Sequence, residues 1–212
     1  MSLVVPSAQK VKPAKNIKHK VFQVPYEAET TAELIAKTLM EKGTSLEVIS
    51  NMNDMHRVLC ECILNNTDLL DDLKGCDLIV HDSVAACPVL VAEFLGIKRV
   101  EVLPGSPNYP FVLYHMVPMP VSYVPQSFPG FSDKMTFLQR VVNLGMYVFA
   151  SRIFMASLAE TMNSIKFKYN IKPERSFQEA AGDAELLIIT ADFALEYPQP
   201  LLPGMDLVVI QL

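Results

Sequence analysis

The sequence predicts an α/β fold in which a mostly parallel, Rossmann-like sheet is flanked by helices. Three observations carry this. Cys76-Asp-Leu-Ile-Val-His-Asp82 is an apolar run that turns polar at its end, Val84 to Leu95 is apolar all round and stops at Gly96, and Arg99-Val-Glu-Val-Leu103 is a second strand-like run. Strand, helix and strand in that order make a βαβ unit, whose two strands run parallel. The 212 residues are 50% hydrophobic and 19% charged, which supplies one sizeable core and excludes a disordered chain.

Along the chain, Leu3-Val-Val and Val21-Phe-Gln-Val-Pro25 read as short strands, with His19 in a Lys-rich strand beside them. Glu27 to Lys42 reads as a helix with Leu34, Ile35, Thr38 and Leu39 on one face and Gly43 as its stop. Met52, Met55, Leu59, Cys62 and Ile63 recur at helical spacing, and this Met and Cys stripe reads as core packing rather than a ligand set. His56, in the same helix, reads as a surface histidine. In the βαβ unit Pro88 is compatible with a helix if it sits in the first turn, where a missing N–H costs little.

Seven prolines between Pro104 and Pro129 then interrupt regular structure, the mark of a long shaped loop that lines a pocket. The longest helical region follows from Ser132 to about Tyr169, with Asn143 and Gly145 as expected breaks. Its most apolar part, Val141 to Leu158, is interrupted by Asn143 and Arg152, so no transmembrane helix is predicted. That apolar face is expected to bury itself in the core or against another part of a larger protein, in preference to lying on a membrane surface. Leu186 to Thr190 and Leu207 to Ile210 are the last strand-like runs. Both chain ends are apolar and strand-like, as if cut from something longer.

A formal charge of −5 argues against a nucleic-acid partner, which needs clustered Lys and Arg. The four cysteines, Cys60, Cys62, Cys76 and Cys87, include no C-x-x-C pair and no histidine at zinc spacing, so neither a metal nor a disulfide framework is implied. No signal peptide and no Gly-rich phosphate loop are present, and no cofactor is expected. Asn65-Asn-Thr67 matches the N-glycosylation sequon. Asp82 is the best candidate for chemistry, since it ends a strand on the edge of an α/β sheet where ligands bind. It could orient a histidine, or it could simply cap the following turn, the commoner use of such an aspartate, with Ser83 as an alternative cap. His81 points to the opposite face from Asp82 and is a poor partner for it. None of His19, His56, His81 and His115 stands out as a general base.

Leu78-Ile-Val-His-Asp82 through Cys87-Pro, Val121-Ser-Tyr-Val-Pro125, Phe131-Ser-Asp-Lys-Met-Thr-Phe-Leu-Gln-Arg140 and Leu195-Glu-Tyr-Pro-Gln-Pro-Leu-Leu-Pro203 together resemble the animal UDP-glucuronosyltransferase and UDP-glycosyltransferase family, over nearly the whole chain and in its N-terminal, acceptor-binding half. The resemblance implies the N-terminal domain of a GT-B fold, here one incomplete domain over residues 1–212 that lacks the first strand and the entire UDP-sugar domain. It implies inverting transfer of glucuronate or another hexose from a UDP-sugar to a hydroxyl of a small lipophilic acceptor. Asp82 would orient the catalytic histidine, which the family carries after its first strand, upstream of Leu3. Ser83, Pro104, Ser106 and Tyr109 would line the acceptor site, and the UDP-sugar is a co-substrate held mainly by the other half. The family's place is the endoplasmic reticulum membrane, on the lumenal side, where Asn65 could carry a glycan. Alone, the chain is expected to be inactive. The alternative is a non-catalytic binding or regulatory partner that forms homo- or hetero-oligomers with full-length relatives.

Overall fold

The computed structural model describes residues 1–9, 11–12, 15–25, 46–106, 110–126 and 130–208. The helix predicted over 27–42 and its stop at Gly43 lie outside the described residues, as does the second half of the last predicted strand. The chain separates into two compact units, Met1–Gly75 and Cys76–Leu212.

In the first unit β1 (Ser2–Pro6) and β2 (Lys18–Phe22) pair in parallel, Ser2 with Lys18 through Pro6 with Phe22. β2 thus starts earlier than the run read from Val21. The helix α1 (Leu46–Leu64) follows, then α2 (Thr67–Leu73), whose first turn is capped by the Asn66 side chain accepting from Leu69 N. The buried stripe of α1 holds Ile49, Asn53, His56, Cys60 and Leu64, one position round from the predicted one. His56 is therefore buried and not on the surface. Without a charge partner to compensate, burial pulls its pKa down to about 4. Cys60 and Cys87 are each disulfide-bonded, contrary to the sequence expectation. Cys62 and Cys76 are free thiols.

The second unit is built on a four-stranded, all-parallel sheet in the order β3 (Leu78–Asp82), β4 (Lys98–Leu103), β5 (Leu186–Ile189), β6 (Met205–Leu207). The βαβ unit forms as predicted. Pro88 lies in the first turn of α3 (Cys87–Leu95), and Gly96 ends it at φ +70° with its N–H bonded to Ala92 O, a left-handed position that favours glycine. Leu103, Leu187 and Ile189 on one sheet face pack with Val112, Val117 and Ala191 to form the core.

After β4 a 3₁₀ segment, Pro110–His115, leads to α4 (Phe137–Phe149), a π-helical turn Ala150–Phe154, α5 (Met155–Lys168) and α6 (Phe177–Gly182). The helix begins at Phe137 and not at Ser132. Thr136 caps it in a capping box with Gln139. Neither predicted break occurs at Asn143 or Gly145. The interruption is the π turn, and Asn143 is wholly buried: its Nδ2 donates to Val121 O and Val124 O, each 2.9 Å away, while its Oδ1 accepts from Gln126 N at 2.7 Å. Helix-breaking propensity loses here to three hydrogen bonds that fasten the proline-rich loop to the helix.

By length and composition Phe137–Lys168 is long and apolar enough to cross a membrane, which the sequence reading did not expect. Its second half is nonetheless core: Leu158, Ala159, Met162 and Ile165 of α5 are buried. Lys166, also buried, pairs with Glu93 of α3.

Candidate functional site

The sheet puts the ends of β3, β4 and β5 on one edge. At β3 the peptide N–H of Ser83 donates to Val102 O of β4 at 2.9 Å. The Asp82 side chain is exposed, and its Oδ1 accepts from Val84 N at 2.8 Å, an Asx turn that fixes the carboxylate at the sheet edge. This is not the helix cap, because α3 begins at Cys87 after Ala86, without a side-chain cap. At β4 the chain turns through Pro104, which is exposed, and Gly105, whose N–H bonds to Leu103 O. At β5, Thr190 donates to the same Leu103 O from both its N–H, at 3.0 Å, and its Oγ1, at 3.1 Å.

Asp82 ends β3 with Ser83 next to it, and Pro104 and Ser106 follow the end of the neighbouring β4. Tyr109 lies outside the described residues. The hydroxyls of Ser83 and Ser106 are buried without a hydrogen-bond partner among the described residues, and so are the Gln126 Nε2 and both side-chain polar atoms of Gln199. Buried polar atoms are nearly always paired, with protein or with ordered water, and these four residues lie in the loops after β3, β4 and β5. Sequence reading did not single out Gln126 or Gln199, although Gln199 lies within the Y-P-x-P-x-x-P string that carried the resemblance.

His81 points away from Asp82, as alternation along the strand requires. Its Nδ1 lies 2.9 Å from Asp82 O and its Nε2 3.2 Å from Arg99 Nη1. Because Arg99 only donates, Nε2 must accept and Nδ1 carries the proton. Burial, the largest influence, lowers the His81 pKa and keeps this neutral form.

Beside it Glu101 accepts from Arg99 at 2.8 Å and faces His115 Nε2 at 3.2 Å. A carboxylate beside a histidine has the form of a base with its orienting group. Here both side chains are 6% exposed and Arg99 shares the carboxylate. The pair is a clamp that holds the 3₁₀ segment to β4. Burial alone would raise the Glu101 carboxyl, but the hydrogen bond from His115 and its positive neighbours outweigh it and leave the pKa lowered. Arg99 also donates to Ala180 O at 2.7 Å and to Ala181 O, tying in the end of α6. Tyr114 completes the clamp, with its hydroxyl donating to Met155 O at 2.8 Å and its ring edge-on to Phe177 at 5.4 Å.

A crevice at the opposite, amino ends of β4 and β5 is lined by charges that satisfy one another: Lys98 with Glu185 at 3.1 Å, and Arg175 with Glu93 at 3.3 Å and Asp183 at 2.7 Å. No group of three or more His, Cys, Asp or Glu side chains among the described residues could hold a metal ion.

Comparison with known proteins identifies the family. The chain is 28% identical to UDP-glucuronosyltransferase 1A6 of Homo sapiens over 218 residues, covering 96% of this chain and 40% of that protein. Identity is 29% to UDP-glucuronosyltransferase 2B17 of Mus musculus, over 84% of this chain and 34% of that protein. It is 31% to 2-hydroxyacylsphingosine 1-beta-galactosyltransferase of Mus musculus, over 76% of this chain and 30% of that protein. The chain thus spans about two fifths or less of these relatives and matches the N-terminal half of the family. A family model described as UDP-glucoronosyl and UDP-glucosyl transferase matches residues 3–210, and the chain belongs to that family.

Proposed function

We propose that the chain is the acceptor-binding part of a UDP-glycosyltransferase, which moves a hexose or glucuronate from a UDP-sugar to a hydroxyl of a small lipophilic acceptor with inversion. The observation that carries this reading is the exposed carboxylate of Asp82 at the end of β3, with buried, unpartnered hydroxyls in the turns after β3 (Ser83) and β4 (Ser106). An acceptor hydroxyl can donate to and accept from such groups while its apolar body rests among the loops between Pro104 and Pro129.

Asp82 is the orienting carboxylate. It receives one imidazole N–H and stabilises the imidazolium formed when the other ring nitrogen takes the acceptor's proton. The acceptor oxygen then bonds to the anomeric carbon as the bond to UDP breaks. None of the four histidines in this chain is assigned as that base: His56, His81 and His115 are committed to buried structural positions, and His19 lies within β2 and not in a loop after a strand. The donor is held by residues outside this chain, which alone does not turn over. The setting is the lumenal side of the endoplasmic reticulum, consistent with Asn65 lying exposed at the turn between α1 and α2.

The test is Asp82→Asn in the polypeptide that cells make from this gene, assayed in membranes with UDP-glucuronate and UDP-glucose and a lipophilic phenol. The expected result is a loss of kcat on the order of 10⁴-fold with KM little changed, as when the orienting aspartate of a histidine is removed. Unchanged turnover would overturn the assignment, and turnover by the isolated 212 residues would overturn the division of labour.

A further inference from the structure

The turn between α1 and α2 carries Asn65-Asn66-Thr67, and no other asparagine in the sequence heads the pattern N-x-Ser/Thr. Both helices are anchored in the interior of their unit: Leu64 at the end of α1 is buried, as are Leu69, Leu70 and Leu73 of α2. Asn65 and Thr67 are exposed, and so are Asp68, Asp71 and Asp72. The exposed side chains of the turn and of α2 are thus all polar or charged, and the turn stands in water with no apolar patch for another chain to cover.

The three residues divide two tasks between them. The backbone N–H of Asn65 donates to Glu61 O at 3.0 Å and that of Asn66 to Ile63 O at 3.1 Å, which closes α1. The Asn66 side chain caps α2 by accepting from Leu69 N at 3.0 Å. The fold therefore fixes the turn through backbone groups and the middle side chain. The two flanking side chains, the ones that an N-glycosylation acceptor uses, are left at the surface.

The cysteines say which compartment the turn meets. Cys60, earlier in α1, and Cys87 are disulfide-bonded. Disulfides form and persist in oxidising compartments, the endoplasmic reticulum lumen among them, and are rare in the cytosol. A surface turn of a chain that has entered that lumen is the setting in which the pattern is used.

We propose that Asn65 carries an N-linked glycan. In the transfer, the Asn65 amide nitrogen bonds to the anomeric carbon of the reducing-end N-acetylhexosamine of a polyisoprenyl-pyrophosphate oligosaccharide. The bond from that carbon to the pyrophosphate oxygen breaks, the lipid pyrophosphate leaves with the electron pair, and the amide gives up one proton. The inference rests on the pattern, its exposure and the disulfide bonding, and it stands apart from the acceptor reading.

The test is peptide mass spectrometry on the full-length polypeptide isolated from membranes of cells that make it. After reduction, trypsin releases residues 58–74, and peptide N-glycosidase in heavy-oxygen water turns a glycosylated Asn65 into a heavy aspartate. The heavy form is expected in most copies of the peptide. Asn65→Gln and Thr67→Ala should each abolish it. Thr67→Ser should keep it, and so should Asn66→Ala, which removes the α2 cap and leaves the pattern intact. A peptide without the heavy label, or a label that survives Thr67→Ala, would overturn the proposal. Turnover of a lipophilic phenol reads the acceptor proposal separately: an unlabelled peptide from an active protein overturns the glycan alone, and a labelled peptide from an inactive one leaves it standing.

Discussion

Replacing Ser106 with alanine separates function from stability at a single atom. The hydroxyl is buried and unpartnered, so its removal should raise the unfolding free energy by about 1 kcal/mol, read from the urea midpoint, while weakening acceptor binding. A loss of stability would show that the hydroxyl is already satisfied in the free protein. Glu101→Ala should act in the opposite sense. It leaves Arg99 buried without its carboxylate, at a cost of about 3–5 kcal/mol, and frees the 3₁₀ segment that His115 anchors. A shift below 1 kcal/mol in chemical denaturation would contradict the clamp. The place of Asp82 at the end of β3 was legible from the sequence because an apolar run that turns polar marks a strand end. Arg99 and Glu101 were not, since charges at alternate positions of a strand read as its solvated face, and only the packing of α6 and the 3₁₀ segment buries them.

At the scale of elements, two joints hold the loop that follows β4. One is Asn143. Asn143→Leu should orphan Val121 O, Val124 O and Gln126 N, costing about 3 kcal/mol or more, and amide exchange should rise first in residues 121–126. The other is Gly182, where an added Cβ would lie 2.5 Å from Tyr114 O. That contact is with backbone and can be relieved only by moving the 3₁₀ segment away from α6, so Gly182→Ala should destabilise by about 1–3 kcal/mol. The βαβ unit was readable to within three residues because each signal was local: an apolar run, Pro88 in a first turn, Gly96 at a stop. The long helix was misread because Asn143 and Gly145 are breakers by propensity, while tertiary hydrogen bonds decide the outcome.

For the molecule as a whole, acid should be destabilising well before its carboxylates protonate. His56 has a folded pKa of about 4 against 6.5 unfolded, so the unfolded chain binds a proton that the folded one refuses. Its contribution is complete above pH 6.5 and is lost as the pH falls toward 4, about 3 kcal/mol in all. His81, lowered for the same reason, adds to the loss in the same direction. Glu101, whose folded pKa is depressed, contributes above the ordinary carboxylate range and is lost only on further acidification through its folded value. Urea midpoints at pH 7.5 and 5 should therefore differ in favour of the higher pH, and His56→Gln should flatten the dependence; an unchanged slope would contradict the burial of His56.

The central claim, that the groups at the ends of β3 and β4 receive an acceptor hydroxyl, is tested most directly by saturation-transfer NMR on the 212-residue chain with 4-butylphenol, butylbenzene and UDP-glucuronate. The account predicts that the phenol binds, that butylbenzene binds more weakly because it leaves the Ser83 and Ser106 hydroxyls unpaired, and that the nucleotide sugar gives no signal. Binding of UDP-glucuronate without the phenol, or equal binding of phenol and butylbenzene that is indifferent to Ser106→Ala, would contradict it.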